Sequence, residues 1–475
     1  MMQVLSVASE CVPLIKTGGL ADVVGALPGA LGPEGVEMRV LLPAYPAVRA
    51  ALGDATPVWE RGDLFGGAAR LLAGRAGDLA LYLLDAPHLY DRPGGPYLDE
   101  AGRDWPDNDT RFAALSWMAA QIGVEGVDGW RPAIVHCHDW QAGLAPLYLK
   151  ARGVDLPTVM TVHNIAFHGL IPEARIGALG LPGWAFHPDG MEFYGQVSAL
   201  KAGLVFAWKV TTVSPNYARE LTTPEFGAGL DGVIRARGGE VSGILNGIDE
   251  AIWDPVTDVH IERYKQPRGK AKAHAALIEE MGLQEGGGPL CVVVSRLSHQ
   301  KGLDLLLEAL PALTDRGGRL VLLGSGDADL EQAWRRAAET HPGVAVRIGY
   351  DEALSHRLIA GADAILVPSR FEPCGLTQLY GLRYGTVPVV ARTGGLADTV
   401  IDANPAALAA GAATGLQFSP VTAEALATAL VRLCDLHDDA ATFAQIQRNG
   451  MRAPVGWSHS AAAYAALYRE LASSP

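Results

Sequence analysis

Short apolar runs alternate with segments of helical periodicity along almost the whole chain. Runs rich in Val, Ile and Leu are typical of strands that are buried on both faces, and strands that alternate with helices predict parallel sheets wrapped by helices. The predicted strands are Val4–Ala8, Met38–Leu42, Leu81–Leu84, Ile134–His136, Thr158–Val162 and Val210–Val213 in the first half, and Leu290–Ser295, Leu320–Leu323, Val344–Ile348, Ala364–Val367 and Val387–Val390 in the second. Both halves are therefore predicted to be doubly wound α/β domains.

A polar stretch that contains Pro255 and Pro267 separates the two halves. It follows the sequence Asn246-Gly247-Ile248-Asp249, and it predicts a domain boundary near residue 247. A final helix is expected around Trp457–Leu471, on either domain. The expected division is 1–247 for the first domain, 248–455 for the second and 456–475 for the terminal helix.

The two halves share an internal repeat. Lys16-Thr17-Gly18-Gly19-Leu20-Ala21-Asp22-Val23 recurs as Arg392-Thr393-Gly394-Gly395-Leu396-Ala397-Asp398-Thr399, and each copy follows a predicted strand and opens a predicted helix. Doubly wound domains bind ligands at the carboxyl ends of their strands. Two such domains predict a substrate cleft between them.

Charge narrows the possible partners. The 475 residues include 38 basic and 52 acidic side chains, which gives a formal net charge of −14. A chain of this charge is not expected to bind nucleic acid or an anionic membrane. Only eight of the basic residues are Lys and the other thirty are Arg. Each Lys is therefore a candidate position for a compact, flexible point charge.

Cysteine usage and hydropathy predict a cytoplasmic protein. The five cysteines are scattered and form no C-x-x-C pair, which suits a reducing compartment. The apolar start of the chain lacks a preceding basic region and is interpreted as a strand instead of a signal peptide. No apolar window reaches the length of a transmembrane helix.

Glycine next to a cation predicts anion binding near the N-terminus. Gly18 and Gly19, at a strand-to-helix turn, would let backbone N–H groups approach an anion, and Lys16 adds a mobile cation. The pattern is neither G-x-G-x-x-G nor a P-loop, and on spacing alone a tight turn with a solvated Lys is the favoured explanation.

Two loops of the second half carry further candidates. Arg296 and Lys301 follow the strand Leu290–Ser295 and could clamp a diphosphate, although a solvated surface loop is the alternative. Glu372 follows the strand Ala364–Val367. Its carboxylate could stabilise a developing oxocarbenium charge or bind sugar hydroxyls, and the alternative is that it caps the next helix.

Two patterns resemble metal motifs, and we expect neither to bind a metal. We expect His136 and His138 to point to opposite faces of their strand, which prevents them from sharing an ion. Asp327 and Asp329 begin a predicted helix, where acidic residues commonly act as caps. His163, at the end of the strand Thr158–Val162, is a better candidate for a substrate contact, although a buried structural His explains it as well.

Together these motifs resemble the bacterial glycogen synthases and plant starch synthases, in order and spacing, over essentially the whole chain. The residues that carry the resemblance are Lys16–Val23, His136-x-His138-Asp139-Trp140, Thr161-Val162-His163-Asn164, Thr212-Val213-Ser214-Pro215, Asn246-Gly247-Ile248-Asp249, Gln300-Lys301-Gly302 and Phe371-Glu372-Pro373-Cys374-Gly375-Leu376.

The resemblance implies a GT-B fold of two Rossmann-like domains, with the terminal helix crossing back to the first. It also implies retaining transfer of glucose from ADP-glucose to the non-reducing-end 4-OH of an α-1,4-glucan such as glycogen, without a metal or other cofactor. A related enzyme that uses UDP-glucose and a non-catalytic glucan-binding regulator are the alternatives. The presence of the charged donor residues argues against the regulator, and the absence of G-x-G-x-x-G after Val4–Ala8 argues against a dehydrogenase.

The resemblance also implies roles for individual residues. The catalytic set is Glu372, His163, Lys301 and Arg296. The donor-binding set is Lys16, Gly18, Gly19, Asp139, Asn164, Asn246, Tyr350, Cys374, Gly375, Leu376 and Thr377, with Tyr350 stacked on the adenine. Tyr97 and Trp140 are the implied acceptor contacts.

Overall fold

Two α/β units make up the chain. The computed structural model describes residues 1–53, 55–284 and 286–473. Unit 1 comprises Met1–Asn246 together with Trp457–Pro475, and unit 2 comprises Gly247–Gly456. Within the described part of the chain, no helix has the length and hydropathy that a bilayer span requires.

Unit 1 is built on a nine-stranded sheet with the strand order β12-β11-β7-β6-β1-β2-β5-β4-β3. The strands from β12 to β5 pair in parallel, and β4 and β3 extend one edge in antiparallel orientation. A separate three-stranded antiparallel sheet has the order β8-β10-β9. The strands are β1 Met2–Val7, β2 Val36–Pro43, β3 Thr56–Arg61, β4 Ala69–Ala76, β5 Leu79–Asp85, β6 Ile134–His138, β7 Thr158–Val162, β8 Leu170–Pro172, β9 Glu192–Phe193, β10 Gln196–Ser198, β11 Lys209–Thr212 and β12 Val241–Gly243.

Helices connect the strands of unit 1, and the last helix of the chain also packs on this unit. The helices are α1 Gly19–Leu31, α2 Pro46–Ala51, α3 Pro87–Tyr90, α4 Asn108–Glu125, α5 Asp139–Ala142, α6 Ala145–Ala151, α7 Ala199–Phe206, α8 Pro215–Glu220 and α9 Asp231–Arg237. The last helix, α20, spans Ser458–Ser473. Its Tyr464 and Tyr468 are buried in one apolar cluster with Leu27, Val36 and Ile134.

Unit 2 contains a six-stranded parallel sheet with the order β15-β14-β13-β16-β17-β18. Its strands are β13 Leu290–Val294, β14 Arg319–Gly324, β15 Val344–Ile348, β16 Ala364–Val367, β17 Val387–Ala391 and β18 Leu416–Phe418. Its helices are α10 Ala271–Met281, α11 Leu303–Ala309, α12 Pro311–Thr314, α13 Ala328–Thr340, α14 Glu352–Gly361, α15 Thr377–Tyr384, α16 Gly394–Thr399, α17 Pro405–Ala409, α18 Ala423–Asp438 and α19 Ala440–Arg452.

The strands of unit 2 are apolar throughout because both faces of the sheet are covered. Along β13, Cys291 and Val293 belong to one buried cluster, whereas Leu290 and Val292 belong to another. Successive side chains of a strand point to opposite faces, so helices must bury both. This explains why the sequence shows continuous apolar runs here and no alternation.

All eleven strands predicted from the sequence form, within two residues of their expected ends. The doubly wound α/β prediction is therefore confirmed. The strands that the pattern missed are the antiparallel edge pair β3 and β4, the three short strands β8 to β10, and the parallel edge strands β12 and β18. Five of the seven have two or three residues, too few to show a hydrophobic period; these are β8, β9, β10, β12 and β18.

Each sheet has one point where the strand order changes direction. In unit 1 the change lies between β1 and β6, and in unit 2 it lies between β13 and β16. The loops that follow two such neighbouring strands diverge and leave a crevice at the carboxyl ends, which is where open α/β sheets bind ligands.

Candidate functional site

In unit 2 the candidate site lies on the loops after β13 and β16, at the change of strand order. Lys301 Nζ donates to Glu372 Oε2 at 2.5 Å, and Ser369 Oγ donates to the same oxygen at 2.9 Å. Glu372 is 8% exposed. The two residues that the sequence placed on separate loops therefore form one partly buried ion pair, which the sequence did not indicate.

The geometry excludes the capping alternative for Glu372. The N-cap of α15 is Leu376, and among the residues that the structure describes no side chain caps this helix. The Glu372 carboxylate instead accepts from the ammonium and hydroxyl groups of Lys301 and Ser369. The solvated-loop alternative for Lys301 is wrong for the same reason, because its ammonium is held against Glu372.

Further contacts hold the two loops together. Arg370 donates to both carboxylate oxygens of Asp304, at 2.7 and 2.6 Å, and also to the carbonyl of His299 at 2.7 Å. The Gln300 side chain donates to the carbonyl of Phe371 at 3.2 Å. A planar guanidinium that binds a carboxylate through two bonds fixes geometry as well as distance. Arg370 is thus a brace for the site, and the sequence analysis missed it.

A helix begins directly after Glu372. Gly375 has a φ of +73°, and α15 follows from Thr377. Since no side chain caps α15, the first-turn N–H groups can serve a bound anion. The buried Gln378 donates to the carbonyls of Cys374 and Gly375 at 3.0 and 2.9 Å, which keeps the preceding turn in place. Gln378 was not among the expected residues.

The second copy of the repeated motif supports the Glu372 loop from behind. The N–H of Gly395 donates to the carbonyls of Glu372 and Pro373, both at 3.1 Å. A Cβ added at Gly394 would lie 1.9 Å from the carbonyl oxygen of Glu372, and one at Gly395 would lie 2.4 Å from that of Cys374. These glycines are required by the close approach of two backbones.

Arg296 and Tyr350 stand at the same carboxyl edge and are exposed. Arg296 follows β13, and within the described residues its guanidinium has no hydrogen-bonded or ion-pair partner. Tyr350 follows β15, two strands away, and is 79% exposed, with its hydroxyl bonded to Glu352. Both side chains are accessible to a ligand at this edge of the sheet.

The candidate residues of unit 1 cluster at the ends of β6 and β7. Asp139 Oδ1 accepts from the backbone N–H groups of His163 and Asn164, at 2.7 and 3.3 Å, and Asp139 itself has a φ of +53°. Burial raises the pKa of Asp139 to about 7, although the two N–H groups lower it. The carboxylate thus ties the two strand ends together.

Three histidines lie side by side under this edge. His163 Nε2 and His138 Nδ1 are 3.0 Å apart, and His138 Nε2 is 3.1 Å from Ser6 Oγ. His136 bonds through its two nitrogens to Thr161 Oγ1 and to the Tyr468 hydroxyl. Burial lowers the pKa of His163 and of His136 to about 3, so both imidazoles are neutral at physiological pH.

The expectation that His136 and His138 point to opposite faces is wrong. Their ring centroids are 4.2 Å apart. Residues two apart on a strand share a face, and opposite faces belong to adjacent residues. Their nitrogens bond to hydroxyls and to His163, so both histidines have structural partners. In the second metal-like pattern, Asp327 is the N-cap of α13 but makes no side-chain capping bond.

The first copy of the repeated motif differs from the second in its surroundings. A Cβ added at Gly18 or Gly19 would have no atom within 4 Å, so the space beside them is open. Lys16 forms an ion pair with Asp22 at 2.8 Å and remains 42% exposed. Open space next to adjacent glycines is what a ligand that approaches the backbone requires.

A buried carboxylate that the sequence analysis missed holds this loop. Glu10 is 3% exposed, and its Oε2 accepts from the N–H groups of Thr17 and Gly18, the latter at 3.2 Å. Its Oε1 accepts from the Tyr97 hydroxyl at 2.5 Å. The N–H of Gly18 is therefore occupied and does not point to a ligand in this structure. No pattern in the sequence points to Glu10, because the N–H groups it binds belong to the backbone and are the same in any residue type other than proline.

The remaining expected residues of unit 1 have distinct surroundings. The hydroxyl of Tyr97 is engaged with Glu10 and Ser9. The half-buried Trp140 stacks edge-on against Phe112, at 4.9 Å between ring centroids. The Asn164 side-chain oxygen accepts locally from the N–H of Ala166. Buried Asn246 Oδ1 has no hydrogen-bond partner within the described residues.

The two units thus present complementary chemistry at strand ends. Unit 2 offers cations, uncapped helix amides and a carboxylate, which suit an anionic leaving group and a developing positive charge. Unit 1 offers neutral imidazole, amide and aromatic groups, which suit a sugar. Two doubly wound units equipped in this way define a GT-B glycosyltransferase.

Comparisons with known proteins agree with this class. A sucrose-phosphate synthase from Thermosynechococcus elongatus superposes with a TM-score of 0.62 over 99% of each chain, at 18% identity, and shares the fold. The starch synthase catalytic domain matches residues 3–236, and the group 1 glycosyl transferase family matches residues 288–435.

Closer relatives define the family. A glycogen synthase of Paracoccus denitrificans is 61% identical over 99% of this chain and 100% of its own length. The catalytic domain of starch synthase IV from Arabidopsis thaliana, solved bound to ADP and acarbose, has a TM-score of 0.90 at 30% identity, over 100% of both chains. This chain belongs to the glycogen and starch synthase family of glycosyltransferases, and the resemblance inferred from its motifs is confirmed.

Proposed function

We propose that this enzyme transfers glucose from ADP-glucose to the 4-OH at the non-reducing end of an α-1,4-glucan, retains the anomeric configuration and releases ADP. The ion pair between Lys301 and Glu372, beside the uncapped start of α15, is the observation that carries the proposal. It joins a cation for the leaving group to a carboxylate for the sugar. The glycogen synthase relative and the ADP-bound starch synthase support the choice of substrates.

Departure of ADP places negative charge on its β-phosphate. Lys301, Arg296 and the first-turn N–H groups of α15, at Leu376 and Thr377, are the groups that we assign to this charge. Charged and dipolar groups that are already oriented stabilise such a charge far better than water does, and loss of one contact costs about 10²–10³ in rate. The preceding turn at Cys374 and Gly375 brings the helix amides to the phosphate.

Glu372 serves the opposite charge, which develops on the glucosyl ring as the bond to oxygen breaks. In the ligand-free arrangement its charge is balanced by Lys301. We propose that the diphosphate draws Lys301 toward itself, so that the carboxylate becomes available to the sugar at the moment of transfer. Ser369, which also donates to Oε2, keeps the carboxylate oriented throughout.

The residues of unit 1 are assigned to the sugar and to the diphosphate. Neutral His163 can donate to or accept from a glucose hydroxyl, and His138 fixes its ring through their shared hydrogen bond. Asn164 and Asn246 add amide groups, and the unpartnered oxygen of Asn246 is a suitable acceptor. Asp139 acts by holding the backbone of His163 and Asn164.

Lys16 and the open face of Gly19 are assigned to the donor's diphosphate. Because the N–H of Gly18 is held by Glu10, the contribution of Gly18 is the space that its missing side chain leaves. Exposed Tyr350 is assigned to the adenine, and Trp140 to the acceptor. Tyr97 is assigned to the acceptor side with its hydroxyl already held by Glu10.

The direct test is transfer of radiolabelled glucose to glycogen from ADP-glucose and from UDP-glucose, with a chelator present. We expect ADP-glucose to be the better donor and the chelator to have no effect. Glu372→Gln should abolish nearly all kcat, and Lys301→Ala should lower kcat and donor affinity together. Incorporation from UDP-glucose alone would support the alternative donor, and no incorporation from either would refute the proposal.

We also propose that the enzyme works in the cytoplasm. All five cysteines are buried and unpaired, which is typical of proteins from reducing compartments. Fractionation of cells that express the tagged chain would test this, with recovery in an oxidising compartment as the contrary result.

A further inference from the structure

An exposed tyrosine lies at the tip of a small hairpin in unit 1. Tyr194 separates β9 from β10 and is 85% exposed, the largest exposure of any aromatic side chain within the described residues. Among the aromatic rings of the described residues, its ring pairs with that of Phe193, edge-on, at 4.7 Å between centroids. A large aromatic side chain left in water gains no free energy from burial, but single exposed residues of this kind are ordinary on protein surfaces, so exposure alone assigns Tyr194 no role.

The backbone at this position makes the choice of tyrosine still less favourable. Tyr194 and Gly195 are the two central residues of the turn, with φ values of +47° and +79°. Two positive φ values define a type I′ hairpin turn, which prefers Asn, Asp or Gly at the first position. A bulky residue in this conformation is strained, and strain that packing does not relieve is found chiefly at functional positions.

The base of the hairpin is rigid. Lys201, one of the eight lysines, is 6% exposed and donates through Nζ to the carbonyls of Pro188 and Glu192, at 2.5 and 2.6 Å. The Glu192 side chain accepts from the N–H of Gly195 at 2.7 Å, which closes the turn. The backbone of the tip is therefore held in place, and binding would not have to order it.

A series of contacts connects this ring with Trp140, the proposed acceptor contact. The indole of Trp140 packs directly on Gly169, where a Cβ would lie 2.2 Å from the ring. The ring of the neighbouring His168 lies tilted against that of Phe193, at 4.5 Å between ring centroids, and Phe193 contacts Tyr194. Phe167, beside His168, is 60% exposed. Trp140 is thus linked to the hairpin tip through Gly169, His168 and Phe193.

We propose that Tyr194, with Phe167, forms an outer subsite for the α-glucan chain, beyond the glucose units that Trp140 contacts. The inference rests on the proposed function. The apolar faces of glucose rings pack on aromatic rings, and a polymeric acceptor extends past the reacting end. An exposed ring that is linked through neighbouring residues to the acceptor contact therefore has a ready occupant. The subsite selects long acceptors over short ones.

Tyr194→Asn tests the subsite without damaging the fold. Asn suits the first position of a type I′ turn, so this substitution should keep or raise the melting temperature. The KM for glycogen and for maltoheptaose should rise about 3–10-fold, the effect of losing one aromatic contact. Kinetic constants with maltotriose as acceptor should stay within about twofold of wild type, because a short acceptor does not reach the tip.

Trp184→Ala is the matched control. Trp184 is an exposed aromatic residue of the same region, but its ring stacks on Phe206 instead of on the contacts that lead to Trp140. It should leave all three acceptors unaffected. Equal KM values for glycogen in Tyr194→Asn and wild type would overturn the subsite, as would an equal rise for maltotriose. Lack of transfer by the wild-type enzyme would instead refute the proposed function.

Discussion

The two copies of the repeated glycine motif allow a paired test of which glycines serve the fold and which serve the donor. In Gly395→Ala, the new Cβ would lie 2.4 Å from the carbonyl oxygen and 2.5 Å from the Cα of Cys374. Both are backbone atoms of the Glu372 loop, so the overlap cannot be relieved by a side-chain rotation. Overpacking of this kind costs about 1–3 kcal/mol.

That cost has two measurable consequences. At about 2–4 °C per kcal/mol for a unit of this size, the melting temperature should fall by about 2–12 °C. Because the N–H of Gly395 also donates to the carbonyl of Glu372, any backbone shift moves the catalytic loop. We therefore expect Gly395→Ala to lower both stability and kcat.

Gly19→Ala should behave in the opposite way. Gly19 is the first residue of α1, its φ is not positive, and a Cβ there meets no atom within 4 Å. Since Ala favours helix over Gly by up to about 1 kcal/mol, stability should stay equal or rise slightly. The new methyl group would project into the space that we assign to the donor. The kcat/KM for ADP-glucose should therefore fall about tenfold or more, which corresponds to a loss of at least ~1.4 kcal/mol in transition-state stabilisation.

The assay combines thermal unfolding of each variant with initial rates at varied ADP-glucose and saturating glycogen. In Gly19→Ala the activity should fall while the melting temperature does not, whereas in Gly395→Ala both should fall. If Gly19→Ala kept the donor kcat/KM of wild type, the open space beside it would have no role in donor binding. If Gly395→Ala left the melting temperature unchanged, the close-approach argument would be wrong.

Three further predictions concern residues that hold the site in place. Glu10→Gln removes the charge that holds the N–H groups of Thr17 and Gly18, and hydrogen bonds to a charged group contribute about 1.5–3 kcal/mol. In initial-rate measurements the KM for the donor should therefore rise, while the KM for glycogen changes less. Equal effects on both would contradict this. In Arg370→Lys the ammonium cannot bind both carboxylate oxygens of Asp304 as the guanidinium does, so kcat should fall about 3–10-fold. A kcat equal to that of wild type would contradict this. The pKa of Asp139 is raised to about 7 from 3.8, so the folded state binds more protons between these values and stability falls as pH rises through them. Asp139→Asn should flatten that slope, by up to about 1.4 kcal/mol per pH unit in denaturant titrations at several pH values. An unchanged slope would show that Asp139 is ionised throughout.

The parts of the fold that the sequence predicted are those in which one physical constraint acts on many residues. Parallel strands covered on both faces must be apolar throughout, so all eleven were recognisable. The same logic predicted that Lys301 and Glu372 follow strands at a carboxyl edge. It could not predict their pairing, because that depends on β13 and β16 being neighbours at the change of strand order.

The parts that the sequence did not reveal depend on single contacts. Glu10 binds backbone N–H groups, which carry no residue identity. Arg370 is recognisable only once Asp304 is known to lie beside it. The hairpin with Tyr194 has strands of two and three residues, too short for a period, and its Tyr-Gly turn is not one of the residue pairs that indicate a hairpin.

The few lysines of the chain do not all serve an anionic ligand. Lys16 and Lys301 were expected at an anion. In the structure Lys301 is paired with Glu372, and its role at the leaving group is part of the proposal. Two others, Lys201 and Lys270, are buried and donate chiefly to backbone carbonyls; Lys270 reaches those of Ile359, Ala360 and Tyr384. Converging carbonyls suit a compact ammonium with three rotatable donors better than the planar fork of Arg. At Lys201, Lys270 and Lys301 the chain therefore has lysine where a small, adaptable cation suits the surroundings, and an anionic ligand is only one of the groups that such a cation can serve.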